Sequence, residues 1–452
     1  MKPMRLFLTL ALTLLAVLIL PASGKPNFVL ILCDDLGYGD IGPFGSKLNR
    51  TPNLDRMARE GMRLTSFYAN PVCTPSRAQF MTGCYAKRVS LANVLFPVSP
   101  TGLSTNEHTV AKLLKKEGYA TMCIGKWHLG DQPDFLPTRH GFERYFGLPY
   151  SNDMGRPPLP LLQDETVIEA PVVQDTLTER YTEEAVKFIT KNKAKPFFLY
   201  PPHTAVHDPL FSGKNFRGKS NNGPYGDWVE EVDWSVGKIL DTLRELGLAS
   251  NTLVLFTSDN GPWSPDGKNG GTAHPLRDSK FSTWEGGVRV PTIAWWPDHI
   301  PGASECAAAL ANIDVLPTFV KLAGGQAPAD RAIDGRDISP QLLGQSRESP
   351  HEALFYFAGE SIKAVRSGPW KLDLVQAPGN RRKNPPVATG PQLYNLETDI
   401  GETTDVAAAH PEIVKRLEGH VAKMDLDLGA NKKGPGVRPA GRVRNPKPLH
   451  KK

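Results

Sequence analysis

The segment CTPSR at residues 73–77 places a thiol and a guanidinium group on one short stretch of chain. Proline favours the first turn of a helix, so we predict that a helix begins here with Pro75 at its first position. Cys73 and Arg77 are four residues apart and would share one helix face. Free backbone N–H groups and the positive end of the helix dipole would then form an anion site beside a reactive sulfur atom.

Two other interpretations of this segment are considered. A buried structural thiol followed by an ordinary amphipathic helix is the usual explanation of a lone cysteine, but the C-x-P-S-R spacing argues against it. A cysteine-dependent phosphatase loop needs a longer spacing between its cysteine and its arginine. Only three residues separate Cys73 from Arg77, so that class of enzyme is excluded.

Polar residues follow four short apolar runs, at residues 28–32, 120–124, 197–200 and 253–256. In the order of the runs, these residues are Asp34 and Asp35, Lys126 and His128, His203, and Asp259 and Asn260. Open α/β sheets place their ligands at the carboxyl ends of parallel strands. We therefore expect the four segments to meet in one site.

Four of these side chains are oxygen donors: Asp34, Asp35, Asp259 and Asn260. Three carboxylates close together would repel one another without a cation between them, and an all-oxygen set favours Ca²⁺ or Mg²⁺ over zinc. Taken singly, each pair also fits a turn at the end of a strand. Taken together, they predict one metal site.

Other candidates carry weaker local signals. Lys126 and His128 lie on alternate positions of GKWHLG, and so on one side of an extended segment. In YPPHTAVH, His203 is nearer the strand and is the stronger candidate, while His207 fits an outer or purely structural place. Lys280 has no local signal and, from its neighbours alone, reads as a surface lysine.

Six segments together resemble the formylglycine-dependent sulfatases, in particular arylsulfatase A-like members, across nearly the whole mature chain. They are CTPSR, LCDDLGYGD, GKWHLG, FLYPPHTAVH, TSDNG and KFSTWEGGVRVP, in the shared order. The resemblance implies that a formylglycine-generating or maturase enzyme oxidises Cys73 to an aldehyde. The aldehyde hydrate would attack sulfate monoesters of aryl or carbohydrate alcohols.

The resemblance also implies roles for individual residues. The metal would be bound by Asp34, Asp35, Asp259, Asn260 and the modified Cys73. Sulfate would be held and protons moved by Arg77, Lys126, His128, His203 and Lys280. Ser151 matches, over a shorter stretch, a position that contacts the hydrate or the substrate, although a turn serine is the alternative.

Two rival functions remain open at this point. One is a phosphoesterase or phosphonate hydrolase of the same architecture, and the cysteine motif argues against it because those relatives mostly use threonine or serine and a pair of metals. The other is a non-catalytic binder of sulfated glycans that keeps an unmodified thiol. Mass spectrometry of the Cys73 peptide separates them.

The elements that must position these residues indicate an α/β fold. Continuous apolar strands, with a fifth at residues 292–296, alternate with helical patterns at 53–60, 108–117, 178–191 and 228–246. We predict a large, mostly parallel mixed sheet sandwiched by helices, with the alkaline phosphatase-like architecture that the resemblance implies. Strand patterns at 364–372 and 392–396 and a helical one at 410–423 predict a small C-terminal antiparallel sheet plus helix.

The domain boundaries follow from these patterns. Residues 1–24 read as a secretory signal peptide, because two cationic residues precede an apolar run too short for a stable membrane anchor and a small-residue cleavage site. We predict a catalytic domain over residues 25–345, a C-terminal subdomain over 346–430 and a basic disordered tail over 431–452. An exported protein of the bacterial periplasm or medium is favoured over a lysosomal one, since only one glycosylation sequon is present.

Composition limits the partners. The formal net charge of +6 depends on the tail, which holds eight Lys or Arg residues and no acidic residue, so no nucleic-acid-binding face is indicated. Five cysteines in 452 residues do not form a disulfide framework. The partners that the resemblance implies are a sulfated small molecule or glycan and the modifying enzyme.

Overall fold

The computed structural model describes residues 24–264, 270–374, 390–430 and 432–450. In chain order, its strands are β1 (Asn27–Cys33), β2 (Met62–Leu64), β3 (Phe67–Tyr68), β4 (Thr101–Gly102), β5 (Ala120–Ile124), β6 (Arg144–Gly147), β7 (Leu161–Gln163), β8 (Thr166–Glu169), β9 (Phe197–Tyr200), β10 (Thr252–Ser258), β11 (Ile293–Trp295), β12 (Ser304–Cys306), β13 (Leu310–Ala311), β14 (Leu354–Ala358), β15 (Ser361–Ser367), β16 (Trp370–Asp373), β17 (Gln392–Asn395) and β18 (Gly441–Arg442). Its α-helices are α1 (Pro52–Glu60), α2 (Cys73–Thr82), α3 (Val110–Lys116), α4 (Leu177–Asn192), α5 (Gly223–Glu245), α6 (Glu285–Val288), α7 (Val315–Leu322), α8 (Ser339–Leu342) and α9 (Pro411–Leu428).

The largest sheet has ten strands in the order β12-β2-β11-β10-β1-β9-β5-β6-β7-β8. Its centre, β10-β1-β9-β5, is entirely parallel. The neighbouring β11 runs antiparallel to β10, and β7 runs antiparallel to β6, which makes the sheet mixed. The predicted α/β fold class is confirmed.

Helices cover both faces of this sheet, because successive residues of a strand point to opposite sides. From β1, Phe28, Leu30 and Leu32 enter one core, which also contains side chains of α2, α3 and α7. Val29 and Ile31 enter the other core, with side chains of α1, α4 and α5. All seven residues of β1 are buried, and after Asn27 the strand is continuously apolar rather than alternating.

The C-terminal subdomain also matches its prediction. Strands β14 to β17 form an antiparallel sheet in sequential order, and α9 packs against it. Val365, Leu372, Leu393 and Leu417 form the buried centre of this contact.

The predicted disordered tail is wrong for residues 432–450. The backbone of β18 pairs with β4, the Arg438 guanidinium forms an ion pair with Glu107, and Lys447 and Gln132 exchange two hydrogen bonds. A charge run alone predicts a solvated end, but these long-range partners offset the loss of chain entropy.

The start of α2, the cysteines and the N-terminal segment were also the subject of sequence predictions. Helix α2 begins at Cys73, two residues before the predicted position, so Pro75 lies inside its first turn. All five cysteines are buried and free, as expected for a chain without a disulfide framework. The predicted signal peptide falls almost wholly outside the described residues. Among the residues that are described, no helix is long and apolar enough to cross a membrane.

Candidate active site

The four parallel central strands end at one edge of the sheet, and backbone hydrogen bonds continue beyond them. The Asp259 N–H donates to the Cys33 carbonyl at 3.0 Å, and the His203 N–H donates to the Leu32 carbonyl at 2.8 Å. The Lys126 N–H donates to the Pro202 carbonyl at 2.8 Å. The residues that follow the strands are thus held by the sheet itself.

Helix α2 adds Cys73 and Arg77 to this edge. Arg77 is fully buried, and its Nε and Nη2 donate to Asp259 Oδ2 at 3.0 and 2.8 Å. Its Nη2 also lies 3.6 Å from Asp34 Oδ2, and its Nη1 donates to the Lys126 carbonyl. One guanidinium group therefore ties the helix start to three strand ends.

Two lysines contact the neighbouring carboxylates of Asp34 and Asp35. Lys126 Nζ contacts Asp34 Oδ2 and donates to Ser151 Oγ at 3.0 Å. Lys280 Nζ lies 2.7 Å from Asp35 Oδ2 and is only 5% exposed. Lys280, which its sequence neighbours alone would place on the surface, belongs to the buried site.

The donor set suits a hard divalent cation. Asp34 Oδ1 and Asn260 Oδ1 are buried and have no hydrogen-bond partner among the described residues. Ligand atoms of Asp34, Asp35 and His207 lie within 4.8 Å of one another. Buried oxygens without partners are costly, and a cation held by oxygens would remove that cost.

Two acids of the cluster differ in their pKa. Burial raises the pKa of Asp259 to about 7, and the negative charge of Asp34 adds to the effect. Burial also acts on the pKa of Asp34, but the positive charges of Lys126, His207 and Arg77 outweigh it and leave that pKa below its usual value. When two carboxylates lie close together, the negative charge of one raises the pKa of the other.

Burial keeps His203 and His128 neutral. Burial lowers the pKa of His203 to about 4, and neither ring nitrogen has a partner within the described part of the chain. Burial, with Lys126 and Arg77 nearby, places the pKa of His128 well below its usual value. His128 Nε2 lies 2.9 Å from the Leu95 carbonyl, while Nδ1 has no partner among the described atoms. Both rings are therefore unprotonated at neutral pH.

Burial raises the pKa of the Cys73 thiol, against the opposing charges of Lys126 and Lys280. An unmodified Cys73 is therefore a protonated thiol, which is a poor nucleophile.

Two contacts were not foreseen from the sequence. His207 Nε2 lies 3.6 Å from Asp35 Oδ2, which places this ring in the charged cluster. The Thr74 hydroxyl donates to the His128 carbonyl at 3.0 Å and accepts the Leu95 N–H. The sequence indicates His207 and Thr74 only by their positions, four residues after His203 and one residue after Cys73.

The fold and the site together place a buried cysteine, two buried lysines and an oxygen-rich acidic cluster at the carboxyl edge of a parallel sheet. The sequence model of the Sulfatase family matches residues 26–325, and that of the C-terminal region of aryl-sulfatase matches residues 349–434. The chain belongs to the sulfatase family and is a sulfuric ester hydrolase.

Individual relatives agree with this assignment. Mouse N-acetylgalactosamine-6-sulfatase is 42% identical, and the match covers 81% of this chain and 75% of that protein. Bovine arylsulfatase A is 39% identical, and the match covers 90% of each chain. The crystal structure of the PsFucS1 sulfatase from Pseudoalteromonas sp. matches with a TM-score of 0.79 at 29% identity, over 89% of this chain and 91% of that one.

Proposed function

We propose that the protein hydrolyses sulfate monoesters of aryl or carbohydrate alcohols with Cys73 converted to formylglycine and with one bound Ca²⁺ or Mg²⁺. The observation that carries the proposal is the position of Cys73, which begins a helix beside Lys126, Lys280 and buried oxygens that lack partners. When present, the hydrated aldehyde would supply a hydroxyl nucleophile and the cation would lower the pKa of that hydroxyl.

The chain's own groups would hold the sulfate. Arg77, Lys126 and Lys280 bring positive charge near Cys73, which lies at the start of α2. Such preorganised donors stabilise negative charge that grows on equatorial oxygens in the transition state. Ser151, which accepts a hydrogen bond from Lys126 Nζ, would contact the substrate or the hydrate. The metal would be bound by Asp34, Asp35, Asp259, Asn260 and modified Cys73.

Protons would move through three kinds of group. Asp259 would accept the proton of the attacking hydroxyl at a carboxylate oxygen. His128 would accept the proton of the second hydroxyl at Nδ1 and so release sulfate. The leaving alcohol would receive its proton from His203 or from Lys280.

The setting of the reaction is also part of the proposal. Residues 25–345 would form the catalytic domain and residues 346–430 its C-terminal subdomain. Residues 1–24 would direct export to a bacterial periplasm or the medium without a stable membrane anchor. A formylglycine-generating or maturase enzyme would act on the chain before it folds, because folded Cys73 is only 4% exposed.

Mass spectrometry tests the modification. In protein from a host with the modifying enzyme, the Cys73 peptide should be lighter than the thiol form and should react with hydrazide probes. Elemental analysis of the same sample should find about one Ca²⁺ or Mg²⁺ per chain. Sulfate-ester turnover by protein with an intact Cys73 thiol contradicts the proposed nucleophile, and stoichiometric zinc contradicts the proposed metal.

A further inference from the structure

Phe281 is a large apolar side chain that follows Lys280 directly and remains 42% exposed. Single exposed apolar residues are common on protein surfaces, so exposure alone carries no meaning. The position and the backbone of Phe281 are what set it apart.

The backbone of Phe281 has φ +74°, in the left-handed region that bulky residues rarely adopt. Neighbouring segments hold it there: the Phe281 N–H donates to the Pro71 carbonyl and the Lys280 N–H donates to the Pro262 carbonyl, both at 3.0 Å. Pro71 lies two residues before Cys73, and Pro262 lies two residues after Asn260. Strain of this kind persists only where surrounding contacts impose it, and it is concentrated at functional sites.

The Phe281 ring lies close to the charged cluster. Its centroid is 5.4 Å from Lys280 Nζ, and that ammonium group is 2.7 Å from Asp35 Oδ2. The ring of Trp263 meets Phe281 edge-on, at 5.8 Å between centroids and 89° between planes. The two rings form one aromatic surface beside the proposed sulfate-binding lysine.

The proposed function brings a substrate to this surface, and the inference rests on that function. In a sulfate ester, one oxygen atom joins the sulfur directly to the alcohol carbon, so a sulfate group at Lys280 brings the alcohol within reach of Phe281. We infer that Phe281 is a specificity-determining residue, against whose ring the sulfated ring of the substrate packs. The substrate class is a six-membered ring with an apolar face, either an arene or a pyranoside.

The test compares Phe281→Ala, Phe281→Trp and wild-type protein on nitrophenyl sulfate, a methyl pyranoside monosulfate and an acyclic alkyl sulfate. Aromatic packing predicts that Phe281→Ala raises the KM of ring esters about tenfold at nearly unchanged kcat. The acyclic ester should change less than about twofold, and Phe281→Trp should retain ring binding. Leu426→Ala, which removes an exposed side chain of α9, is the control and should match wild type.

The pattern across the esters decides the outcome. A larger KM effect on nitrophenyl sulfate identifies an arene as the preferred ring, and a larger effect on the sugar ester identifies a pyranoside. Equal losses on all three esters would show that Phe281 only positions Lys280, and no loss on either ring ester would show that the substrate does not reach it. Both results overturn the inference but leave the sulfatase function intact. A wild-type enzyme with modified Cys73 that hydrolyses none of these esters would contradict the proposed aryl and carbohydrate substrates and remove this inference with them.

A stability measurement distinguishes a substrate-binding role of Phe281 from a purely structural one. Glycine adopts positive φ without steric cost, so Phe281→Gly should have a melting temperature equal to or above that of wild type while losing ring-ester binding as Phe281→Ala does. A clear fall in the melting temperature of Phe281→Gly would assign the ring to packing and overturn the inference.

Discussion

Two buried groups of charged residues in this protein have similar composition but differ in how completely they are hydrogen-bonded. The catalytic cluster consists of Asp34, Asp35, Arg77, Lys126, Asp259 and Lys280. The docking cluster consists of Tyr68, Glu285, Arg289, Arg366, Lys371 and Glu402. The docking cluster joins the C-terminal sheet to the segment KFSTWEGG, which begins with Lys280 and contains Glu285.

Both carboxylates at the centre of the docking cluster have partners at both oxygens. Lys371 Nζ contacts Glu285 Oε1 at 3.2 Å, Glu402 Oε1 at 2.5 Å and a backbone carbonyl. The Tyr68 hydroxyl donates to Glu285 Oε2 at 2.6 Å, and the Glu285 N–H donates to Glu402 Oε2 at 2.8 Å. Nothing further is needed to satisfy these two acids.

The catalytic site, by contrast, contains buried atoms that the described residues leave without partners. They are Asp34 Oδ1, Asn260 Oδ1, His128 Nδ1 and both ring nitrogens of His203. Asp35 and His128 also have left-handed backbones, with φ of +61° and +60°. The two groups therefore share buried charge but differ in unsatisfied polar atoms and in backbone strain beside that charge.

The first prediction removes the proposed nucleophile. Cys73→Ala should lower kcat by about 10⁴-fold or more, because loss of a nucleophile leaves only binding and electrostatic effects. Cys306→Ala removes another buried thiol, on β12, and should retain wild-type turnover. Steady-state kinetics on nitrophenyl sulfate measure both. Turnover by Cys73→Ala within tenfold of wild type would show that Cys73 does not provide the nucleophile.

The second prediction breaks the docking cluster. Lys371→Met leaves Glu285 and Glu402 buried without their shared cation and should lower the free energy of unfolding by about 3–5 kcal/mol. Adding Glu402→Gln should restore part of the loss, because one of the two acids left without Lys371 can then no longer ionise. Denaturant unfolding measures the change. A Lys371→Met protein as stable as wild type would show that this cluster does not support the fold.

The third prediction concerns proton delivery in the catalytic site. Nitrophenolate leaves without a proton, whereas a sugar alkoxide needs one, so His203→Ala should reduce kcat/KM for sugar sulfates by roughly 10²-fold and for nitrophenyl sulfate far less. Lys280→Ala should depress both if it mainly binds sulfate oxygens. Equal losses for His203→Ala on the two esters would remove it from the acid role, and a leaving-group-dependent loss for Lys280→Ala would assign the role there.

The fourth prediction concerns metal binding by the buried oxygens that lack hydrogen-bond partners among the described residues, Asp34 Oδ1 and Asn260 Oδ1. Ca²⁺ at 100 times its dissociation constant should stabilise the wild-type protein by about 2.7 kcal/mol, because the cation binds only the folded state. Asp35→Ala should lose this response, and chelation should abolish activity. Thermal unfolding with and without Ca²⁺ measures the effect. Full activity after exhaustive metal removal would count against a metal centre.

The fifth prediction is a pH dependence confined to the docking cluster. Burial raises the pKa of Glu402 to about 8, against the opposing charge of Lys371. The folded state then keeps a proton that the unfolded chain has lost, so stability from this group falls as pH rises from about 4.5 to about 8. The melting temperature of wild type relative to Glu402→Gln should fall over that interval. A constant difference would contradict the raised pKa.

Much of the fold could be predicted from the sequence because it depends on local pattern. Ala120–Ile124 and Phe197–Tyr200 are strands with the predicted bounds, and the four predicted helices agree to within a few residues. Periodicity over a few residues records which side chains face a core. The polar residues after the strands could be placed at one edge for the same reason, since parallel strands share their carboxyl ends.

The remaining features depend on contacts between distant parts of the chain. Lys280 and Asp35 are 245 positions apart, and nothing in the neighbours of Lys280 shows that its ammonium group is buried against that carboxylate. The basic tail looked disordered because its composition is polar and cationic, yet Arg438 and Lys447 have partners more than 300 residues away. Residue types and short-range order thus determined the elements and the kind of chemistry. Only the tertiary structure decided which charges are satisfied, because a hydrogen bond depends on distance in space and not on distance along the chain.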